Sequence, residues 1–189
     1  FRPSTPGNSP IHNHHTLSPN QAAWTVRKVP PILWREAFGL MEEVFCTYVA
    51  PDFGEEGKKA YREEFLHNPA LHSLFREGKQ TMYGAFSANR LVGVAAVSNG
   101  GYLSCLFVDG AFHGRGIGSA LLCTIARQAS QEGVSRLRVS ASPFAVGFYH
   151  ALGFTVRGPE QQWRGIRTTP MEIATGRLLG ASPQNTGQV

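Results

Sequence analysis

Apolar positions along this chain change their period once. From Ala23 to Val29 they suit a short first strand, and Pro30-Pro31 then sets up a helix start, because proline is tolerated in a first helical turn. Ile32, Trp34, Phe38, Met41, Phe45 and Tyr48 follow at helical spacing, and Pro51 is expected to end that helix. Glu55 to His67 and Pro69 to Glu77 read as two further helices, anchored by Tyr61, Phe65, Leu71 and Leu74. From Thr81 the period shortens. Thr81–Ala88, Leu91–Val97 and Tyr102–Val108 read as strands joined at Asn89-Arg90 and Asn99-Gly100-Gly101, residues that tolerate the positive dihedrals of tight hairpins. A helix is then expected over about Gly116–Glu132, a strand over Arg136–Ala141, a helix over Pro143–Leu152, and strands near Phe154–Arg157 and Gly165–Ile173.

This order, helices, then a meander, then helix, strand, helix and strands, gives a mixed α/β domain of three layers. The flanks lack apolar periodicity. Residues 1–22, rich in Pro, Ser, Asn and His, and residues 177–189 read as polar, flexible tails around a domain at 23–176. His12, His14 and His15 lie in the first tail without a cysteine or acid cluster to complete a metal site, so no metal is expected.

With 189 residues, 42% of them hydrophobic and 16% charged, the chain has material for one core. Its net charge of +5 suits acidic or phosphate-bearing partners, but the basic residues are scattered and no stacking aromatics flank a basic stripe, so a nucleic-acid partner is not expected. No apolar run is long enough to span a bilayer and the N-terminus lacks a signal-peptide core. A soluble, cytoplasmic protein without a membrane partner is therefore expected. Cys46, Cys105 and Cys123 match neither a metal spacing nor a disulfide framework and read as buried thiols.

The chemistry concentrates in His113-Gly114-Arg115-Gly116-Ile117-Gly118-Ser119, between a strand ending near Asp109 and a helix striped by Ile117, Leu121 and Ile125. Alternate glycines bring bare N–H groups close to a ligand, and the helix behind adds the positive end of its dipole. Each charge interaction there contributes about 0.3–1 kcal/mol when exposed, so several amides must converge to hold a diphosphate. Ser119 follows Gly118 with no lysine, which excludes a Walker loop, and the glycine spacing misses the dinucleotide fingerprint. A tight strand-to-helix connection with no ligand is the plainer reading of the same glycines.

Two blocks of sequence carry a resemblance. Leu106-Phe107-Val108-Asp109 through His113 to Leu122 resembles the acetyl-CoA signature of the GNAT N-acetyltransferases, Q/R-x-x-G-x-G/A. Ser142-Pro143-Phe144-Ala145 with Phe148-Tyr149-His150-Ala151-Leu152-Gly153-Phe154 looks like that family's second block. The similarity runs from about Trp24 to Ala174 and includes the terminal strand of a bacterial subgroup of unknown acceptor. His113 stands where the family usually has Gln or Arg, and Ser140 where close relatives commonly have Asn.

The resemblance implies a three-layer fold with a mostly antiparallel sheet splayed between its fourth and fifth strands and helices on both faces. It implies acetyl-CoA as cosubstrate, its pantetheine arm along Leu106, Phe107 and Val108. Its diphosphate would lie in the turn of His113, Gly114, Arg115, Gly116, Ile117, Gly118 and Ser119, with Arg115 or Arg127 near the 3′-phosphate. Transfer would be direct, from thioester to amine. A backbone N–H near Phe107 or Val108 would stabilise the developing oxyanion, and Tyr149 would be the acid for the departing thiolate. Phenol and thiol pKa values of about 10 and about 8.5 make that proton transfer uphill by roughly 2 kcal/mol unless the site helps.

Freeing an amine of pKa about 10.4 costs about 4.6 kcal/mol at pH 7, so a base is needed. Tyr102, Ser104, Glu42, Glu43, Asp52 and His113 all stay open for that role, directly or through water. The region Phe45–Phe65, with Tyr48, Asp52, Phe53 and Tyr61, would border the acceptor, a small-molecule or peptide amine. A homodimer is open, since the family often dimerises. The competing function is an acyl-CoA-binding sensor without transfer activity.

Overall fold

The computed structural model describes residues 23–180; the polar segment 1–22, with its three histidines, and residues 181–189 lie outside them. The chain opens with β1 (Trp24–Lys28). A 3-10 turn (Pro31–Leu33) leads into α1 (Trp34–Val44), which runs on through a π segment (Phe45–Val49) and a 3-10 turn (Ala50–Asp52). Pro51 therefore does not stop the helical path. It sits in the first turn of the 3-10 segment, where a missing N–H costs nothing. Next come α2 (Gly54–Tyr61), extended by a π segment (Arg62–Leu66), and α3 (Pro69–Arg76), which Asn68 caps by accepting from the Ala70 N–H at 2.9 Å.

The meander is β2 (Gln80–Ser87), β3 (Arg90–Ser98) and β4 (Tyr102–Val108). Its first turn is Ala88-Asn89, both at positive φ (46° and 65°), one residue earlier than the Asn89-Arg90 expected. A two-residue hairpin of this kind needs two left-handed positions, which draws Ala88 into an unusual conformation and leaves Arg90 free to pair with Ser87. After a 3-10 turn (Gly110–Phe112) come α4 (Ile117–Gln131), β5 (Arg136–Ala141), α5 (Pro143–Ala151), β6 (Thr155–Val156), β7 (Gln161–Trp163), β8 (Ile166–Ala174) and α6 (Thr175–Gly180).

Neither β7 nor α6 is announced by the apolar periodicity. β7 is short and wholly exposed, so it carries no alternation. In α6, Leu178 is buried against the core that α4 shares.

The strands form one sheet in the order β1-β2-β3-β4-β5-β8-β6, with β7 pairing to β8 alone. All neighbours are antiparallel except β4 and β5. On one face α4, α5 and α6 bury Leu121, Leu122, Ile125, Leu137, Tyr149 and Phe154; on the other α1 and α2 bury Met41, Phe45, Phe53, Phe107 and Ile166. This is the three-layer arrangement expected, with its mostly antiparallel sheet.

The parallel pair β4–β5 is short. Tyr102 pairs with Arg138 and Leu103 with Val139, and the ladder ends there. At that point β4 carries an extra residue: Cys105 opposes Ala96 and Leu103 opposes Val97, leaving Ser104 unmatched. Such a bulge bends its strand and sharpens the local twist. Ser104 Oγ donates to Gln80 Oε1 at 2.6 Å, which fixes the bulge to β2.

The two-residue turn Arg164-Gly165 (φ 48° and 79°) at the tip of β7–β8 presses on α2. A Cβ built on Gly57 would lie 2.5 Å from the Gly165 carbonyl oxygen, whereas one on Gly39 in α1 meets nothing within 4 Å. Glycine to alanine inside a helix normally stabilises by about 0.5–1 kcal/mol. We expect that sign for Gly39→Ala and the opposite for Gly57→Ala, a loss of about 1–3 kcal/mol from overpacking against rigid backbone. Urea melts of the two variants check the pair; stabilisation by Gly57→Ala would show that the hairpin is not docked on α2.

Candidate active site

Three features converge where β4 leaves β5: an unpaired strand edge, a turn of bare amides, and a group of phenols with one thiol. The edge follows from strand geometry. The Asp109 N–H donates to Val92 O at 2.9 Å, so it points toward β3. Alternation along the strand then turns the N–H and C=O groups of Leu106 and Val108 the other way, toward β5, and those of Phe107 toward β3. Of the two amides expected to face a developing oxyanion, Val108 has this orientation and Phe107 does not.

The turn lies just beyond. Gly114 and Gly116 both have positive φ (73° and 78°), and Gly116 is the residue that caps α4. A Cβ on either would enter open space, so their requirement is conformational, with the outer side left clear. Gly118 is different: a Cβ there would lie 2.9 Å from Phe148 Cζ, so its bareness lets α5 approach α4. Among the described residues no backbone carbonyl accepts from the amides of Gly114 through Ser119, and the first helical bond is Ala120 N–H to Gly116 O at 3.0 Å. Free N–H groups at the positive end of a fifteen-residue helix are chemically suited to an anion.

His113 opens the turn but its ring folds back: Nε2–H donates to the Val108 carbonyl at 2.7 Å, and Tyr48 packs on it at 4.8 Å between ring centres. The imidazole therefore pins the turn to the end of β4. Arg115 lies over the Phe112 ring at 4.9 Å. Arg127 is on α4 ten residues after Ile117, about 15 Å along the helix axis, and so is far from the turn.

Tyr149 on α5 is 3% exposed. Burial raises its phenol well above the ordinary value, and the neighbouring Cys105 and Tyr102 oppose its ionisation further. It is thus held as a neutral O–H. Burial acts likewise on Tyr61, whose ionisation Cys105, Tyr149 and Tyr102 also oppose, and pushes the Cys105 thiol up to about 12. Tyr61 stacks between Phe45 (4.1 Å, 12°) and Phe65 (5.0 Å, 29°), which makes it an aromatic wall. Tyr102, expected only as a candidate base, donates to Ser140 Oγ at 2.9 Å from β4 across to β5.

The other base candidates are drawn elsewhere. Glu42 is engaged by Arg62 (3.5 Å) and His67 (3.2 Å), Glu43 lines a groove between α1 and the β4–α4 connection, Asp52 is exposed, and Ser104 bonds Gln80. All three cysteines are free; each residue keeps some accessible surface, but the Cys105 thiol itself is enclosed enough for burial to raise its pKa. Among the described residues no group of His, Cys, Asp and Glu has a metal-holding arrangement, and no helix is long and apolar enough to cross a membrane.

The chain's residues 49–175 match the family model of the acetyltransferase (GNAT) domain. No curated protein matches the chain. Among solved structures it is similar to a GCN5-related N-acetyltransferase from Rhodopseudomonas palustris, at 21% identity and a TM-score of 0.70 over 79% of this chain and 94% of that one. It is also similar to the PaiA N-acetyltransferase of Thermoplasma acidophilum in complex with coenzyme A (18%, TM-score 0.68, 80% and 99%). A third likeness is to the ribosomal-protein-alanine N-acetyltransferase of Brucella melitensis (18%, TM-score 0.58, 79% and 99%).

The buried acids give the site a pH signature. Below pH 9 the Cys105 thiol is protonated in both folded and unfolded chains, and its contribution is constant. Between about 9 and about 12 only the unfolded chain releases the proton, so stability falls as pH rises, by up to about 1.4 kcal/mol per unit from this group. Tyr149 and Tyr61 act in the same direction above pH 10. The urea midpoint is expected to drop between pH 8 and pH 11, and less steeply in Cys105→Ala; equal slopes would mean that the thiol is not buried.

Proposed function

Because this chain belongs to the GNAT acetyltransferase family, we propose that it moves an acetyl group directly from acetyl-CoA to the primary amine of a small molecule or peptide. Membership makes it an acyltransferase; the acetyl donor and the amine acceptor are the finer reading. The observation that carries it is the juxtaposition of bare amides at Gly114–Ser119 with the unpaired β4 edge. The first suits a diphosphate and the second an extended amide-containing arm, which would pair as an added strand does. In PaiA the same fold accompanies coenzyme A. A cytoplasmic location and a homodimer belong to this reading.

In this proposal the edge of Leu106, Phe107 and Val108 receives the arm. The amides of Gly114, Arg115, Gly116, Ile117, Gly118 and Ser119 receive the diphosphate, and His113 holds the turn in register through Val108 O. Acetyl-CoA supplies an activated acyl group as its thioester. The Val108 N–H, if 2.7–3.1 Å from the thioester oxygen at attack, stabilises the charge that develops there. Tyr149 gives its proton to the sulfur as the C–S bond breaks, and the proton that the attacking nitrogen sheds passes through water, from which the phenol is restored. Its burial disfavours phenolate, but the same dry surroundings disfavour a free thiolate, so the roughly 2 kcal/mol gap in water narrows. No acyl-enzyme forms, and Cys105, kept as neutral thiol, serves as wall.

Calorimetric titration with acetyl-CoA tests the cosubstrate. We expect micromolar binding, weakened at least about a hundredfold in Gly116→Trp, which both strains a positive-φ position and fills the clear side of the turn. Failure of the wild type to bind would remove the reading. For the acid, Tyr149→Phe is expected to lower kcat about a hundredfold, the smaller end for a positioned proton donor, with acetyl-CoA affinity retained. Unchanged kcat would return Tyr149 to a packing role and leave a binding-only protein as the better account.

A further inference from the structure

The sheet face opposite α4 and α5 is covered by α1 over β3 and β4 and by α3 over β2, and α2 packs on β8, while the outward residues of β5 between them stay exposed. Along β5, Leu137, Val139 and Ala141 are buried while Arg136, Arg138 and Ser140 are exposed. The registers carry this exposed row sideways: Tyr102 stands beside Arg138, Arg138 opposite Glu172, and Glu172 opposite Thr155. All of these project from one face, and the Tyr102–Ser140 hydrogen bond marks where that face meets the gap between β4 and β5.

The face carries unbalanced positive charge. It holds Arg136, Arg138 and Arg157 against a single carboxylate, Glu172, so two charges remain uncompensated. Glu172 Oε1 is engaged by Arg136 Nη1 at 2.9 Å and Arg157 Nε at 3.3 Å, and its side chain is only 16% exposed. Among the described residues no carboxylate pairs with Arg138, and every Asp and Glu side chain of the sequence lies within them. By contrast, the acids beside the aromatic wall are balanced one for one: Arg164 binds Glu63 (3.4 Å) and Glu64 (3.0 Å), Lys59 adds a second cation on Glu63 (3.8 Å), and Arg62 binds Glu42 (3.5 Å).

We propose that the acceptor is an amine that carries a carboxylate, held by the Arg138 guanidinium on the open face of β5 while its amine lies at the β4–β5 gap. The proposal rests on the transferase reading and names its acceptor class. Arg138 lies two residues before Ser140 on the same exposed face of β5, about 6.6 Å along the strand, so its long side chain can meet a carboxylate a few bonds from an amine at the gap. Arginine presents a planar fork that matches a carboxylate with two parallel hydrogen bonds. One free fork suits one negative charge. A polyamine would meet uncompensated positive charge here, and like-charge juxtaposition selects against it.

The test compares matched acceptors with the full chain and saturating acetyl-CoA, following release of free CoA: amino acids, the same amino acids as carboxamides, and an aliphatic diamine. The carboxylate forms are expected to have the highest kcat/KM, with KM rising as salt increases. Arg138→Gln should raise their KM at least about tenfold, the smallest effect of losing a charged hydrogen bond, with little change in kcat. Arg76→Gln, the same loss of charge on α3, should leave KM unchanged. Equal or better turnover of carboxamides or the diamine, or an Arg138→Gln KM that does not move, overturns the inference. Acetyl-CoA bound tightly but transferred to no carboxylate-bearing amine also overturns it and leaves the transferase reading standing; absence of acetyl-CoA binding removes both.

Discussion

The site depends on a constraint in β4. A parallel strand pair hydrogen-bonded along its whole length has no room for a third participant, because every N–H and C=O between the strands is taken. Here the ladder stops at Leu103 and Val139, where Ser104 is inserted without a partner on β3. At the bulge the pairing of β4 to β5 stops while its pairing to β3 continues through Val108. Sheet integrity and an open edge coexist because one side of the strand keeps its bonds when the other loses them. The hydroxyl of Ser104, bonded to Gln80, secures this irregularity from two strands away.

From that opening the other parts take their places. Asp109 follows the last residue of β4; its carboxylate accepts from the Ala111 N–H at 3.0 Å and starts the short turn into the glycines. His113 ties this turn back to Val108, and Gly118 lets Phe148 and α5 come close, which brings Tyr149 to the far side of the gap. On the remaining side Tyr48 packs on both His113 and Phe144, so the end of α1's helical path touches the turn and α5 together. Burial rather than ion pairing sets the acidity of Tyr149, Tyr61 and Cys105. All three carry neutral protons in a space bounded by aromatic rings.

Much of this was legible in the residues. The meander, α4, β5 and α5 came from changes of period and from Pro143 and the glycines, because those signals are local. The glycine turn was legible too, since positive φ leaves few residues to choose from. What failed was long-range. The bulge at Ser104 appears only when β3 and β4 are set in register, as an alternating strand reads the same with or without one unmatched residue. Tyr61 reads as a helix anchor until its neighbours on β4 and α5 are known. The exposed row on β5 was present as the alternation Arg136-Leu137-Arg138-Val139-Ser140-Ala141, yet which arginine lacks a partner depends on Glu172 and Arg157, far along the chain. β7 and α6 were missed because a three-residue exposed strand and a six-residue helix carry too little periodicity to stand out.

The contact between Gly57 and Gly165 bears on how this protein can change over generations. Two stretches of main chain, more than a hundred residues apart in sequence, touch with no side chain between them, and the Arg164 clamp on Glu63 and Glu64 flanks the contact. Helix α2 and the β7–β8 hairpin can therefore not drift apart independently: a larger residue on one demands a compensating retreat of the other. Diversification is channelled into the exposed rings and charges on either side of the seam, such as Phe65 and Trp163, while the seam itself stays fixed.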